Sequence, residues 1–325
     1  TWVVGAAVQQ DRYAPQDVSR FAYRFDVPAV FAQDQLTLGN RASLSASARL
    51  DAHSEYGALL SPRVSLLWRP AEAWTTRISA GGGTFAPTPF TEETDETGLT
   101  RLAPLGDLEA ERAASFSGDA TWTRGPFEIT ATVFGSRVAN AVQLAELRYV
   151  APPAGTAILP GLPVALVNAD QPTRTWGTEF LARYRRGALV VMATHAWTRS
   201  TERDVNGVGR REVPLTPRHA GSFNVMLEGG AWGRAGVEAY YIGRQALEDN
   251  PYRPTSAAYV LFGGLFERRV GRVRLFVNVE NLADVRQTRD APLIRPTRLP
   301  DGRWTVDAWA PLDGRVWNGG ARVKF

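Results

Sequence analysis

The sequence predicts an all-β chain, a transmembrane antiparallel up-and-down β-barrel, on three observations. Segments of about ten residues alternate apolar and polar side chains from one end of the chain to the other. The connections joining them are by turns very short and rather long. No unbroken apolar run of about 18 residues offers a membrane-spanning helix. The composition, 44% hydrophobic and 22% charged over 325 residues, therefore excludes a helical membrane protein. It leaves open a barrel, whose signal is alternation.

The final stretch shows the pattern at its simplest. Phe325, Val323, Ala321, Gly319 and Trp317 share one face, and Lys324, Arg322, Gly320, Asn318 and Val316 share the other. Such a strand also suits a soluble β protein, so the rest of the chain has to decide. Leu44, Ala46, Ala48 and Leu50 oppose Ser43, Ser45, Ser47, Arg49 and Asp51; Phe127, Ile129, Ala131 and Val133 oppose Glu128, Thr130, Thr132 and Ser136.

Fourteen segments follow this rule. The first seven are Trp2 to Gln9, Ala22 to Gln35, Arg41 to His53, Pro62 to Arg69, Trp74 to Gly83, Ala113 to Arg124 and Phe127 to Val138. The second seven are Thr173 to Arg185, Ala188 to Ser200, Arg218 to Glu228, Trp232 to Arg244, Ala257 to Arg268, Arg272 to Leu282 and Val316 to Phe325. Short links rich in Gly, Pro or charge fall at residues 37–40, 70–73, 125–126, 186–187, 229–231 and 269–271. Long ones fall at residues 84–112, 139–172, 201–217, 245–256 and 283–315. A sandwich or propeller has no reason to alternate its loops in this way, and no repeat of about 40 residues is present.

The totals narrow the function. Cysteine is absent, which removes disulfides and thiolate chemistry. The net charge of +4 is carried by arginine, since Lys324 is the only lysine. A GC-rich coding sequence accounts for that bias, and guanidinium also suits the phosphates and carboxylates of lipopolysaccharide and anionic ligands. The arginines are dispersed, with no basic cluster or recognition helix, so no nucleic-acid partner is expected. Thr1 is neither a start methionine nor part of a signal segment, and the chain reads as processed or partial.

Several stretches resemble the C-terminal barrel portion of TonB-dependent outer-membrane receptors. Trp74 to Glu93 is similar to the family's strand that leaves the membrane through a Gly-Phe-x-x-Pro element, and Leu60 to Pro70 to the Pro-Arg strand before it. Leu108 to Glu111 resembles its Leu-x-x-Glu element, Trp176 to Phe180 its Gly-x-Glu strand, and Val277 to Asp284 its Asn-Leu-Phe-Asp signature. Ala283 replaces the usual aromatic of that signature. The resemblance covers essentially the whole chain and implies a barrel of about 22 strands. It further implies that residues 1–325 hold about the last fourteen, the first strands and the N-terminal plug domain being absent from this chain. Two unpaired edges would then face lipid, where unsatisfied backbone groups cost several kcal/mol each.

No catalytic constellation is present. His53, His195 and His219 lie on different segments, and no nucleophile motif accompanies them. His195 and Trp197 suit an interface anchor. Asp51, Asp119, Glu128, Glu179, Glu238 and Glu280, matched by Arg49, Arg77, Arg183, Arg234 and Arg274, suit a polar lumen wall that grips a plug. The run Glu92, Glu93, Asp95 and Glu96 lacks the order of a calcium loop and reads as a solvated loop.

Ligand capture is expected from aromatics and arginines of the long loops: Arg101, Tyr149, Tyr252, Arg253, Trp304 and Trp309. Stacking plus guanidinium contacts suit a planar, anionic metal chelate. The resemblance implies an outer-membrane receptor for a scarce ligand such as a ferric siderophore. It implies energy from the TonB complex through the plug, and an assembly machinery that reads Phe325. Outer-membrane lipid and lipopolysaccharide surround it, and no cofactor or resident metal is expected. Two competitors remain: a passive fourteen-stranded channel complete in itself, and an outer-membrane hydrolase.

Overall fold

The computed structural model describes residues 1–147, 164–230 and 232–323, with all their side chains except those of Glu92, Glu93 and Glu96. The strands are β1 (Trp2–Tyr13), β2 (Tyr23–Leu38), β3 (Ala42–His53), β4 (Gly57–Ala71), β5 (Trp74–Phe85), β6 (Glu111–Arg124), β7 (Phe127–Ala139), β8 (Val142–Glu146) and β9 (Val164–Asn168). There follow β10 (Thr173–Arg186), β11 (Leu189–Arg203), β12 (Arg210–Glu212), β13 (His219–Gly229), β14 (Gly233–Ile242), β15 (Tyr259–Val270), β16 (Val273–Glu280) and β17 (Val316–Val323). Two short helices, α1 (Glu92–Thr97) and α2 (Gln287–Asp290), lie in the long connections.

One sheet carries the architecture. Its path runs β1 to β7, then β10, β11 and β13 to β17, every neighbour antiparallel and consecutive along the path, with β12 attached to β11. These fourteen strands are the fourteen anticipated segments. The terminal strand pairs with β16 in register, Val273 opposite Val323 and Glu280 opposite Val316. Phe325 lies outside the described residues. Turns on the short-loop side are tight because glycine takes left-handed backbone there, as at Gly125 (φ 57°) and Gly187 (φ 55°).

Directly opposed residues of an antiparallel pair share a face, so the register carries a face assignment from strand to strand. Leu36 opposes Leu44, Leu44 opposes Leu66, and Leu66 opposes Ile78. Further along, Trp122 opposes Ile129, Ala131 opposes Phe180, Val191 opposes Val225, and Val237 lies opposite Gly264. One apolar face thus crosses the whole sheet. Its large side chains stand in the open, Val8 at 81%, Val237 at 62% and Ile78 at 59% exposure. A soluble sheet would bury them, and such a face needs an apolar solvent.

The other face holds the charges. Arg77 opposes Asp119 and Glu128 opposes Arg183, while Arg49 meets Asp51 at 2.7 Å. Glu267, 6% exposed, lies 3.5 Å from Arg234 and 3.2 Å from Arg274. Every carboxylate and arginine assigned to a lumen wall from sequence falls on this polar face by register. Glu267 joins them.

Glycine and phenylalanine interlock across the sheet. Gly5 opposes Phe31, Gly135 opposes Phe116, Gly177 opposes Phe134 and Gly320 opposes Phe276. At Gly177 an added Cβ would stand 2.7 Å from the Phe134 ring and 2.3 Å from the Trp197 carbonyl oxygen. The ring covers backbone that the missing side chain leaves bare, which stiffens the strand pair.

Buried apolar groups concentrate in the loops. Val18, Phe21, Leu102, Val164 and Leu166 form a small core shared by three connections, and Trp309 anchors a second with Ala291 and Ala310. Sequence patterning did not show this loop layer, nor the β8–β9 hairpin within it. Among the described residues β1 pairs only with β2 and β17 only with β16, so the sheet has two open edges.

Candidate functional site

The long connections fold over one end of the sheet and hold each other through polar contacts. Residues 86–110 carry α1, whose first turn is closed reciprocally by Thr91 and Thr94. The stretch read as a solvated acidic loop is therefore a short helix, with Asp95 exposed. Arg101 reaches from this loop to the Pro300 carbonyl at 3.2 Å, joining segments 199 residues apart. Gln287, fully buried, accepts from the backbone N–H of Trp309 at 2.8 Å and donates to the Asp307 carbonyl at 2.8 Å.

The Val277 to Asp284 signature has a local physical role. Asn281 (φ 49°) and Asp284 (φ 57°) occupy left-handed backbone, which short polar side chains tolerate best. The Asn281 amide brackets Val285, accepting from its N–H at 2.8 Å and donating to its carbonyl at 2.7 Å. Asp284 accepts from the Arg315 N–H at 3.0 Å, and this bond, with Arg286 beside it, holds its carboxyl below the usual carboxylate range. The motif ties both ends of the last long loop together.

Where five loops meet they enclose a cleft of about 260 Å³. Its walls present the carboxylates of Glu146, Glu202, Glu248, Asp249, Asp301 and Asp307 and the guanidinium groups of Arg211 and Arg303, an acidic excess. Arg211 is clamped between Glu202 and Glu248, each at 2.8 Å. Arg303 pairs with Asp301. Burial pushes Asp307 up from the ordinary carboxylate value, favouring its neutral form. The Gln143 side chain, 8% exposed, donates to Glu202 at 3.1 Å, and its buried Oε1 has no donor among the described residues.

The anticipated ligand residues divide. Tyr252 (42% exposed) bonds through its hydroxyl to the Ile294 carbonyl, and Ile294 bridges Thr305 beside Trp304 (54% exposed). Arg298 lies 4.7 Å over the Trp304 ring. The structure thus brings Tyr252 and Trp304 onto one exposed shelf. Trp309 is buried at 2% exposure beneath Arg253, whose guanidinium lies 5.3 Å from its ring, so both serve loop packing here. Arg101 is committed to the Pro300 contact. Tyr149 lies outside the described residues.

Two arrangements were invisible in sequence. His195 and His219 meet across β11 and β13, ring nitrogens 3.2 Å apart, on the apolar face beside Trp197. His53 sits instead on the polar face, where its Nδ1 accepts from the Glu55 and Tyr56 N–H groups. It belongs to an aromatic ladder of Tyr13, Tyr23, Phe25 and Tyr56 whose neighbouring ring centroids are 4.6 to 6.1 Å apart.

Comparison with known proteins agrees with this architecture. The family model for the TonB dependent receptor-like β-barrel matches residues 4–282. The chain belongs to that family, whose barrels sit in the outer membrane, and the apolar face is the one such a barrel turns to lipid. No curated protein sequence matches. Among solved structures, the siderophore receptor PirA of Acinetobacter baumannii aligns with TM-score 0.71 and 13% identity, over 96% of this chain and 47% of that one. A mutant of the ferric enterobactin receptor PfeA of Pseudomonas aeruginosa gives 0.68 and 15%, over 94% and 45%. The FrpB iron transporter of Neisseria meningitidis gives 0.66 and 15%, over 93% and 45%. At these identities the likeness is one of fold, and the chain spans under half the length of each.

Proposed function

We propose that this chain is the C-terminal part of an outer-membrane active-transport receptor whose outer loops capture a metal chelate, with a ferric siderophore the leading ligand class. The whole protein adds an N-terminal plug and about eight strands, and draws energy from the TonB complex through the plug. The observation carrying the ligand class is the exposed shelf of Tyr252, Trp304 and Arg298. Aromatic faces and a guanidinium suit a flat anionic chelate. The acidic cleft beside it does not compete for an anion, because its arginines are already matched to carboxylates. The structures this chain resembles in fold, an iron transporter and two siderophore receptors, point the same way.

Other features support the remaining parts of this reading. The two open edges argue against a passive channel complete with fourteen strands, since among the described residues neither edge strand has a second partner. A hydrolase would need a histidine beside a nucleophile; His195 and His219 face lipid, and His53 is engaged by backbone. Phe325 is assigned to recognition by the assembly machinery.

A second reading follows from the cleft. Its carboxylates and the unpartnered Gln143 Oε1 suit a ligand rich in hydroxyl donors, such as a glycan. Deleting the full-length gene and testing growth on single iron chelates separates the two. Loss of growth on one chelate supports the siderophore reading, and undiminished growth on all of them removes it.

A further inference from the structure

The cleft where the long loops meet is unbalanced both in charge and in hydrogen bonding. Six carboxylates line it against two guanidinium groups. Both guanidinium groups are engaged, Arg211 by Glu202 and Glu248 and Arg303 by Asp301. A third arginine, Arg295, acts on Asp307 from outside the lining and leaves the excess negative. Gln143 adds an independent sign. It is 8% exposed, its amide nitrogen donates to Glu202 at 3.1 Å, and its Oε1 is buried with no donor among the described residues. A buried acceptor left bare is costly, so a donor from outside the chain accounts for it. A water would fill that one acceptor and leave the charge standing. A cationic donor answers both.

Two further features decide what kind of cation fits. Among the described residues no group of three or more histidine, aspartate or glutamate side chains is placed to hold a metal ion. The rest of the lining is apolar, with Leu144, Val213, Pro214 and Leu215 on the same cleft. Leu215 is held in left-handed backbone (φ 55°), rare for a residue of its bulk, by a bond from its N–H to the Ala246 carbonyl at 3.0 Å. Its side chain is 41% exposed. An end lined by acceptors beside a wall of hydrocarbon matches an alkylammonium, whose nitrogen carries three donors and no acceptor. A hydrated metal ion would gain nothing from the apolar wall, and a neutral saccharide would bring no charge. The volume of about 260 Å³ equals that of roughly eight waters at about 30 Å³ each, enough for an arm of a few methylenes.

We propose that this cleft is a subsite for a primary ammonium group on an aliphatic arm, so that the captured ligand is a metal chelate bearing a free amine. The identity of the rest of the ligand depends on the receptor reading above; the amine does not. The loops of residues 245–256 and 283–315 carry both the cleft and the aromatic shelf. Asp249 lies three residues before Tyr252, Arg303 directly precedes Trp304, and Arg303 stands 4.0 Å from Asp249. A chelate resting on Tyr252 and Trp304 therefore has the cleft within reach of a short arm.

The test is isothermal titration of the purified full-length protein with five-carbon probes: cadaverine, pentanediol and glutarate. Wild type should bind the diamine at least about tenfold more tightly than the diol and should not bind glutarate. Q143M, which removes the bare acceptor, and D249N should each weaken the diamine by about fivefold or more, while D95N, outside the cleft, should match wild type. Heat-resistant migration on gels reports folding, and D249N alone carries the expectation if Q143M does not fold. Diol bound as tightly as diamine, calcium displacing the diamine at equal concentration, or undiminished binding by the variants overturns the subsite. A second titration compares a ferric trihydroxamate ending in a free amine with the same chelate N-acetylated. Binding tighter by about tenfold for the amine form is expected; equal binding, or binding of neither, overturns the amine-bearing chelate. Growth on iron chelates, which decides the receptor reading, uses no diamine, so the two failures are told apart.

Discussion

Arg211 and Glu248 lie 2.8 Å apart on two different outer loops, and Glu202 holds the other side of the same guanidinium at 2.8 Å. All three side chains are largely withdrawn from solvent, at 27%, 22% and 12% exposure. Removing the arginine leaves two carboxylates facing each other in an already acidic cleft. R211A should therefore loosen residues 201–215 and 243–258 by about 1–3 kcal/mol, read as faster limited proteolysis of those loops on cells. R211K should recover part of the loss. Unchanged cleavage in R211A would mean that the clamp does not hold the loops.

Gly177 is expected to reject any side chain. G177V would drive its Cβ into the Trp197 carbonyl and the Phe134 ring, and overpacking costs about 1–3 kcal/mol even where side chains alone must move. The check is the yield of heat-resistant folded protein, which should collapse for G177V. G118A should be tolerated, its nearest neighbour being Val133 at 3.8 Å.

Tyr56 gives a pH signature. Its hydroxyl donates to the Pro87 carbonyl at 2.8 Å, and burial pushes its pKa up to about 12. A raised acid pKa means that the stabilisation is complete below the ordinary tyrosine value near 10 and is lost as pH rises from there through about 12. Difference absorbance at phenolate wavelengths should show a component titrating near 12 that is absent in Y56F. A Y56F titration identical to wild type would contradict the raised pKa of Tyr56.

The exposed shelf predicts a division of labour. W304A and Y252A should weaken chelate capture, while R253A, beneath which Trp309 is buried, should act chiefly on loop stability. Equilibrium binding to whole cells, set beside proteolytic protection of residues 243–258, separates the two effects. Equal loss of binding and protection in all three variants would dissolve the distinction.

The sheet was legible because its signal is local. Ser43 to Asp51 or Phe127 to Val138 announces a strand by parity alone, and the register kept every such face on one side. Boundaries slipped where parity failed. Leu59 and Leu60 point to opposite faces, which hid the start of β4 (Gly57–Ala71), and the polar run Gln10 to Tyr13 hid the end of β1 (Trp2–Tyr13). The loop layer was not legible, because its contacts are long-range. Arg101 finds Pro300, and Trp309, a candidate for ligand stacking, finds a buried seat under Arg253. The meeting of His195 with His219 needs the register, which no single strand states.

One continuous apolar face runs by register through fourteen strands, and in the proposed receptor it meets lipid while the opposite face lines the lumen. This chain has no cysteine of its own, so single cysteines can be placed along β7 (Phe127–Ala139) in the full-length protein. Spin labels at Ile129, Ala131 and Val133 should be relaxed by oxygen dissolved in the bilayer, and labels at Thr130 and Thr132 by a water-soluble paramagnetic reagent. A strict two-residue alternation between the reagents is the predicted result; labels at all five positions responding alike would contradict the account.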